Sequence, residues 1–345
     1  GSYNLCDDPS LGRMYAAFTG GCVILMKKAL VITTGGTIVS ADKGEGAVPD
    51  KKNTDNVLLA ASRFLNNEGF ACDIVNAFGD NGIDSSDMSP AEWLALTRII
   101  NEASLGGIKK FLIIHGTDTM AYSAAWLSLT AAPDVTVVIT GSQHIQGDAD
   151  FDGITNLCGA ARTLREKESG VFIYFCGRTI EGAYAHKSNC EALDAFVPTA
   201  EEGQRVEPTL FDPATLSPDW EKTAAKLDPV FLTPASVPDF KPCKILILVG
   251  FGSGNMAQRI HEKIERDFSD IGEKPVIIAA SSCEKGKKNP AFYGGVGISE
   301  LSKKKFSVFG EGEYSLEFII ALSYLSLMLA PEDPEQLLER YLDKF

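Results

Sequence analysis

The sequence VITTGGTIVS, at residues 31–40, contains the first predicted strand, the first turn and the first candidate functional side chain. The apolar and β-branched run at 29–33 predicts a buried strand. Gly35 and Gly36 allow a sharp turn and leave backbone amides free for an anion or a developing oxyanion. Thr37 follows, either within a plain tight turn or as a nucleophile. A nucleotide-binding loop is disfavoured, because neither G-x-G-x-x-G nor G-x-x-x-x-G-K-S/T is present.

Downstream of this strand, short β-rich runs alternate with segments of helical periodicity. They predict strands at 71–78, 111–115, 135–140 and 171–176 and helices at 54–66, 90–104, 119–131 and 153–166. This alternation predicts a parallel sheet covered on both faces. After a polar, proline-rich passage, KILILVGFG and KPVIIAASS predict two more buried parallel strands, with helices at 256–267 and 316–330. Asp333 and Pro334 predict the N-cap and first position of a last helix.

The chain is long enough for two domains. We expect residues 1–25 to be an extension with little role in the fold, because MKKALVITTGGT is typical of a natural start at Met26. We further expect a larger domain at 26–200, a linker at 201–228 and a smaller domain at 229–345.

Composition narrows the functional classes. Thirty-two basic against 46 acidic side chains give a net charge of −14, which argues against nucleic acid or an anionic membrane as partner but suits a small zwitterionic substrate. The apolar stretch at 14–26 is too short to span a bilayer. Eight cysteines without a C-x-x-C pair predict reduced, buried thiols in a cytoplasmic protein. Four histidines without H-x-H or H-E-x-x-H give no support for a metal site.

Polar residues follow each predicted strand at its carboxyl end, where open parallel sheets bind ligands. Thr37 follows the first strand and a T-G-S-Q loop follows the fourth. Asp84, Ser85 and Ser86 follow the second strand, and Thr117 and Asp118 follow the third.

Competing interpretations exist for the Thr117-Asp118 dipeptide and for Lys187. Thr117 and Asp118 could cap the next helix, or the carboxylate could bind the ammonium of an amino acid. A threonine nucleophile needs a proton acceptor, and Lys187 is a candidate if its surroundings lower its pKa. A solvated lysine is the simpler interpretation of Lys187, and His186 could be a surface or structural residue.

Five motifs occur in order between residues 30 and 196: T-G-G-T-I, D-S-S-D-M, H-G-T-D-T-M-A-Y, T-G-S-Q with D-G-x-x-N-L, and the Lys187 segment ending in D-A-F. Together they resemble the bacterial-type L-asparaginases, and within them the cytosolic type I branch. The resemblance implies a larger N-terminal flavodoxin-like α/β domain, a smaller C-terminal α/β domain, and dimers that pair into tetramers. It also implies amide hydrolysis through an acyl-enzyme, without a cofactor.

The same resemblance implies roles for individual residues. The family's nucleophile matches Thr37, and its second triad matches Thr117, Asp118 and Lys187. The substrate-binding positions implied are Gly36, Asp84, Ser85, Ser86 and Asp118, together with Asn255, which matches a residue that reaches into the partner subunit's site.

Two departures from the family pattern stand out. A tyrosine on the mobile loop matches Ala47, and no aromatic residue lies between residues 38 and 63. His144 and Ile145 replace a usual Ile-Pro pair, which could alter a subunit contact or a regulatory site.

We therefore predict an amidohydrolase acting on L-asparagine, with glutaminase activity left open. Losing one proton-transfer partner costs about 10²–10⁴ in rate, so a catalytically weak amino-acid binder is one alternative. The amide-hydrolysing subunit of a tRNA-dependent amidotransferase is another. Its usual N-terminal barrel does not fit in the 25 residues before Met26, and the acidic surface suits tRNA poorly.

Overall fold

The computed structural model describes residues 16–19, 22–42, 44, 46–269, 274–288 and 297–345. The strands are β1 (Ala16–Thr19), β2 (Cys22–Leu25), β3 (Lys27–Thr33), β4 (Ser40–Asp42), β5 (Ala47–Pro49), β6 (Phe70–Asn76), β7 (Lys110–Ile114), β8 (Thr136–Thr140), β9 (Gly170–Phe175), β10 (Arg178–Glu181), β11 (Ala185–Lys187), β12 (Phe196–Pro198), β13 (Leu227–Phe231), β14 (Ile245–Gly250), β15 (Val276–Ser281) and β16 (Val308–Gly310). The α-helices are α1 (Lys51–Asn67), α2 (Pro90–Leu105), α3 (Met120–Thr130), α4 (Gly153–Glu166), α5 (Trp220–Ala224), α6 (Gln258–Asp267), α7 (Leu316–Leu329) and α8 (Glu335–Tyr341).

The larger sheet has six strands in the order β6-β3-β7-β8-β9-β10. The first five are parallel, and β10 pairs antiparallel with β9 at one edge. Counted along the chain, the parallel strands follow the spatial order 2-1-3-4-5, which is the flavodoxin-like arrangement. The switch point of this order lies between β3 and β7, so a ligand is expected at the carboxyl ends of these two strands.

Helices cover both faces of this sheet because its strands are apolar on both sides. On one face, α1 and α4 bury Val57 and Leu164 against Val31 and Leu112. On the other face lie α2 and α3. Every residue of α3 except Tyr122 is buried, as expected for a helix that is apolar on all sides.

The smaller sheet is fully parallel, in the order β13-β14-β15-β16. One face packs on α6 and on the 3-10 helix Ile298–Lys304. The other face packs on α7, whose sequence is apolar on all sides. Because α7 also packs along α3, the apolar core is continuous between the two sheets.

The predicted elements of the larger sheet agree with the structure to within about three residues at each end. The strands that were not predicted are all short, and they are β1, β2, β4, β5, β10, β11, β12, β13 and β16. Asp333 does not cap the last helix, which begins at Glu335 with Pro334 as its N-cap. Within the predicted linker lie a 3-10 helix at Pro213–Thr215 and α5, and β13 begins at Leu227.

The prediction of buried cysteines is wrong for the described thiols. Cys176, Cys190 and Cys283 are exposed, because each lies in a loop after a strand. The other three are only half-buried: Cys72, Cys158 and Cys243. All six are free thiols.

The predicted extension at 1–25 lies mostly outside the described residues, which there comprise only the antiparallel strands β1 and β2. Among the described residues, no helix is long and apolar enough to cross a membrane. The same residues contain no group of three or more His, Cys, Asp or Glu side chains that could hold a metal ion.

Candidate active site

Three loops meet at the switch point of the larger sheet. The Thr34 amide after β3 donates to the Ile114 carbonyl at the end of β7 (2.9 Å), and the Ile83 amide donates to the Thr34 carbonyl (2.8 Å). Gly36 has φ +96°, and a Cβ at this position would lie 2.5 Å from the Cα of Gly116. The T-G-G-T motif therefore needs this glycine because two backbones pass in direct contact.

Thr37 begins a short 3-10 helix, Thr37–Val39, whose Ile38 and Val39 side chains are buried. These two side chains anchor the turn in the core. The Ser40 hydroxyl donates to the Gly36 carbonyl (3.0 Å) and closes the turn on its other side. Thr37 itself is half-buried and lines a cavity, so it borders a space that a small molecule could enter.

The loop after β6 carries Asp84, Ser85 and Ser86. The Asp84 carboxylate accepts from the Ser86 amide (2.8 Å) and caps the short 3-10 helix Ser85–Asp87. The Ser85 carbonyl accepts from the Thr119 hydroxyl (2.6 Å). The Ser86 hydroxyl donates to Asp118 Oδ2 (3.3 Å). These bonds fix the second loop against the third.

Thr117 and Asp118 do not cap α3. Its N-cap is Thr119, which makes no side-chain cap bond because its hydroxyl is used by Ser85. The side chains of Thr117 and Asp118 turn instead toward Lys187. Of the two interpretations of this dipeptide, the capping one is therefore wrong.

Lys187 ends β11 and joins the loops from the side. Its Nζ donates to Thr117 Oγ1 (2.9 Å) and to Asp118 Oδ1 (2.6 Å). The Lys187 side chain is 16% exposed, so it is not the solvated lysine of the simpler interpretation. Its hydrogen bond to Asp118 holds the pKa of that carboxyl below its usual value. Asp118 is therefore a carboxylate, and its 61% exposed side chain can meet a cation.

A cavity of about 240 Å³ brings these groups together. This is below the range of about 300–1,000 Å³ typical of drug-sized ligands, so it suits a small substrate. Of the predicted site residues, those that line it are Gly36, Thr37, Asp84, Ser85, Thr117, Asp118 and Lys187. Ser86 contributes only through its bond to Asp118.

Asn255 lies apart from the cavity of its own chain. It follows β14, and its backbone exchanges hydrogen bonds with Phe251. Its side-chain oxygen is buried without a hydrogen-bond partner among the described residues. A contribution of Asn255 to a partner subunit's site stays a prediction.

Several residues that line the cavity were not predicted, among them Ser40, Gln143 and Cys190. Gln143 belongs to the T-G-S-Q loop, which the carboxyl-end rule did place at this edge of the sheet, although Gln143 itself was not singled out. The backbone amide of Gln143 donates to both oxygens of the Asp152 carboxylate (3.0 and 3.2 Å). Cys190 carried no signal, because its position depends on how the chain turns after β11.

Ala47 also lines the cavity. It begins β5, which pairs with β4 directly after the Thr37 turn. The departure from the family pattern therefore falls within the site. His144, the second departure, is absent from the residues that line this cavity.

The fold and the site define a flavodoxin-like α/β protein with hydroxyl, carboxylate and ammonium groups at its switch point. A family model described as Asparaginase, N-terminal, matches residues 28–208, more than half of the chain. The chain belongs to the asparaginase family, which supports an amidohydrolase.

Individual relatives agree with this family. The L-asparaginase of Thermococcus kodakarensis is 28% identical over 301 residues, covering 79% of this chain and 83% of that protein. One subunit of the glutamyl-tRNA(Gln) amidotransferase of Methanococcus maripaludis is 29% identical over 181 residues. That match covers 50% of this chain and only 42% of the relative's length.

Two solved structures share the fold. The thermostable L-asparaginase from Thermococcus kodakarensis has a TM-score of 0.73 at 23% identity, covering 90% of this chain and 96% of the other. L-asparaginase I from Vibrio cholerae has a TM-score of 0.70 at 23% identity, covering 91% and 96%.

Proposed function

We propose that this chain hydrolyses L-asparagine to L-aspartate and ammonia. The observation that carries the proposal is the cavity that holds Thr37 together with the hydrogen-bonded group of Thr117, Asp118 and Lys187. Thr37 Oγ1 attacks the side-chain amide carbon, the carbon–nitrogen bond breaks, and ammonia leaves with the threonine proton. Water then hydrolyses the resulting ester to aspartate and regenerates the hydroxyl.

The charges of the cavity suit a free amino acid. Asp118 is a carboxylate exposed to the cavity, and Asp84 also lines it. Both suit the α-ammonium of the substrate. Backbone amides at the Gly36 turn are available to stabilise the developing oxyanion.

Lys187 and Thr117 are placed to move a proton. The lysine ammonium donates to Thr117 Oγ1, so the hydroxyl proton of Thr117 is left to point elsewhere, toward a water or the departing nitrogen. General acid–base assistance of this kind contributes about 10²–10⁴ in rate.

L-Glutamine is the natural competitor substrate. One methylene changes the free energy that separates the two substrates by only about 1–3 kcal/mol. We therefore include some L-glutamine hydrolysis in the proposed activity. We also propose a homo-oligomer, a dimer or a dimer of dimers, in which Asn255 of one subunit completes the site of its partner.

The proposal is tested by ammonia release from L-asparagine and L-glutamine, from micromolar to tens of millimolar, on protein of known oligomeric state. We expect saturable release from asparagine with an equal yield of aspartate. Thr37→Val keeps the shape of the side chain and should lose at least about 10³ in kcat with an unchanged Tm. Near-normal turnover by this variant would remove Thr37 from the mechanism.

A second candidate function is amino-acid binding with little catalysis, which Ala47 in the cavity wall favours. Titration calorimetry separates the two, because a binder gives saturable heat with asparagine or aspartate but negligible ammonia. The amidotransferase relatives support a third candidate, the amide-hydrolysing subunit of a larger enzyme. Turnover of free asparagine by this chain alone would argue against it.

A further inference from the structure

The N-terminus of α7 is attached to the segment that carries Lys187. The Ser315 amide and hydroxyl both donate to the Ala183 carbonyl, at 3.1 and 3.2 Å. The Thr199 hydroxyl, just after β12, donates to the Glu313 carbonyl (2.7 Å). A helix of the smaller-sheet region therefore holds β11 and β12 in place.

His186 adds a charged contact to this attachment. Successive side chains of a strand point to opposite sides, so Lys187 faces the cavity while His186 faces α7. His186 Nδ1 lies 2.8 Å from Glu317 Oε1, and the Glu317 side chain is 7% exposed. Its second carboxylate neighbour, Glu284, is 3.6 Å from Nε2 and 46% exposed. Glu317 is thus the close, buried partner and Glu284 the distant, exposed one.

Glu317 also faces the helix that follows the other half of the site. α7 packs along α3, which begins directly after Thr117 and Asp118. Burial together with the nearby Glu317 carboxylate raises the pKa of Tyr122, on α3, to about 12. Glu317 therefore lies between the two elements whose spacing sets the distance from Lys187 to Thr117.

We propose that His186 and Glu317 form a positioning pair that holds the Lys187 ammonium against Thr117 and Asp118. The proposal rests on the proposed function, since it assigns a role within the same site. Neither residue lines the cavity, so both act through Lys187.

The physical reason is the shortness of the strand that carries Lys187. β11 has three residues and, among the described strands, pairs only with the equally short β12, and misplacing a reacting group by 1 Å costs about 10² in rate. Removing the imidazole of His186 would leave the buried Glu317 carboxylate without its counter-charge. The second carboxylate oxygen of Glu317 is buried without a hydrogen-bond partner among the described residues. The contact of the first oxygen with His186 is therefore important for stabilising the Glu317 charge.

The charges around His186 favour its protonated form. The hydrogen bond to Glu317 is the main cause that raises the pKa of His186 above its usual value, and Glu284 adds to it. Burial and Lys288 act in the opposite direction. The ion pair therefore requires protonated His186 and weakens as pH rises through the raised pKa of His186.

The test compares Glu317→Gln with Glu284→Gln, two isosteric changes at carboxylates near the same imidazole. Glu317→Gln should lower kcat by about 10- to 100-fold with KM nearly unchanged. It should also move the alkaline limb of the kcat–pH profile. Glu284→Gln should change kcat by less than about twofold, because Glu284 is exposed and lies farther from the imidazole than Glu317 does. His186→Asn, which keeps a donor near Nδ1, should retain more activity than His186→Ala.

A second measurement does not depend on activity. Lysines are ¹³C-methylated reductively, and the Lys187 signal is assigned by its loss in Lys187→Arg. The signal should shift in Glu317→Gln and stay in place in Glu284→Gln. A reduced kcat with an unmoved Lys187 signal and a lowered Tm would overturn the positioning role in favour of a merely structural one. Unchanged kcat would also overturn it. If the wild-type chain releases no ammonia, the proposed function fails, and the Lys187 signal alone decides the positioning role.

Discussion

The close approach of two backbones at Gly36 gives the sharpest single prediction. Replacing Gly36 with alanine adds one methyl group where the Gly36 and Gly116 backbones meet. That methyl would lie 2.5 Å from the Gly116 Cα and 2.6 Å from the Gly116 amide nitrogen. Neither atom belongs to a flexible side chain, so the two loops must separate.

The required movement follows from these distances. Ordinary contact begins at 3.4 Å, so the loops must part by about 0.9 Å. Thr37 lies on one loop and Thr117 on the other, so the distance between the nucleophile and the triad grows by a similar amount. A misplacement of about 1 Å costs about 10² in rate. Gly36 has φ +96° and ψ 179°, a region almost restricted to glycine, so an alanine variant adds about 1–3 kcal/mol of backbone strain.

A matched control separates the strain from the contact. Gly69, just after α1, has φ +88°, and a Cβ there would meet nothing within 4 Å. Gly69→Ala should therefore also carry the strain of a positive φ, but without moving the site. We expect Gly69→Ala to lower the free energy of unfolding in urea by about 1–3 kcal/mol, and Gly36→Ala to lower it further because its loops must separate. Only Gly36→Ala should lose about 10² in kcat for ammonia release. Equal kcat values in the two variants would refute the argument that loop contact sets the site geometry.

Three further outcomes are expected. Asp118→Asn should raise KM for asparagine by about 10- to 100-fold, since a charge-assisted hydrogen bond contributes about 1.5–3 kcal/mol. An unchanged KM with a reduced kcat in steady-state kinetics would contradict this. Ala47→Tyr should raise kcat, within the range of about 10²-fold or more for a proton-transfer partner, whereas Ala47→Phe, which lacks the hydroxyl, should not. Burial lowers the pKa of His115 to about 4, so its contribution to stability is present above pH 6.5 and is lost as pH falls toward 4. The free energy of unfolding measured with urea should fall by about 3 kcal/mol over this interval. His115→Gln should show no such fall.

The sheet and the polar residues after its strands could be predicted from sequence because both depend on local pattern. A run such as 111–115 is apolar on both sides, which only a strand covered on both faces can satisfy. Once the strands are parallel, the carboxyl-end rule places Thr37, Asp84 and Thr117 at one edge without knowledge of any contact.

What could not be predicted from local sequence pattern depends on long-range placement. Lys187 lies 70 residues from Thr117 along the chain, and only the turn through Ala183 and the short β11 bring them together. No periodicity marks a three-residue strand. The same turn brings Cys190 to the cavity, and the contact of His186 with Glu317 spans 131 residues.

The two sides of the cavity differ in how firmly they are held, and this difference links the enzyme and binder hypotheses. Thr117 and Asp118 are both held by hydrogen bonds from Lys187. Thr37 has a buried anchor in Ile38, but the wall beside it is β5, whose three residues are all exposed. Binding depends mainly on the firm side, whereas nucleophilic attack depends on the side that carries Ala47. We therefore expect the affinity of the site for an amino acid to be independent of Ala47, whereas kcat depends on the Thr37 side. A hydrolase and a binder with this geometry would then differ only in the rate constant of nucleophilic attack.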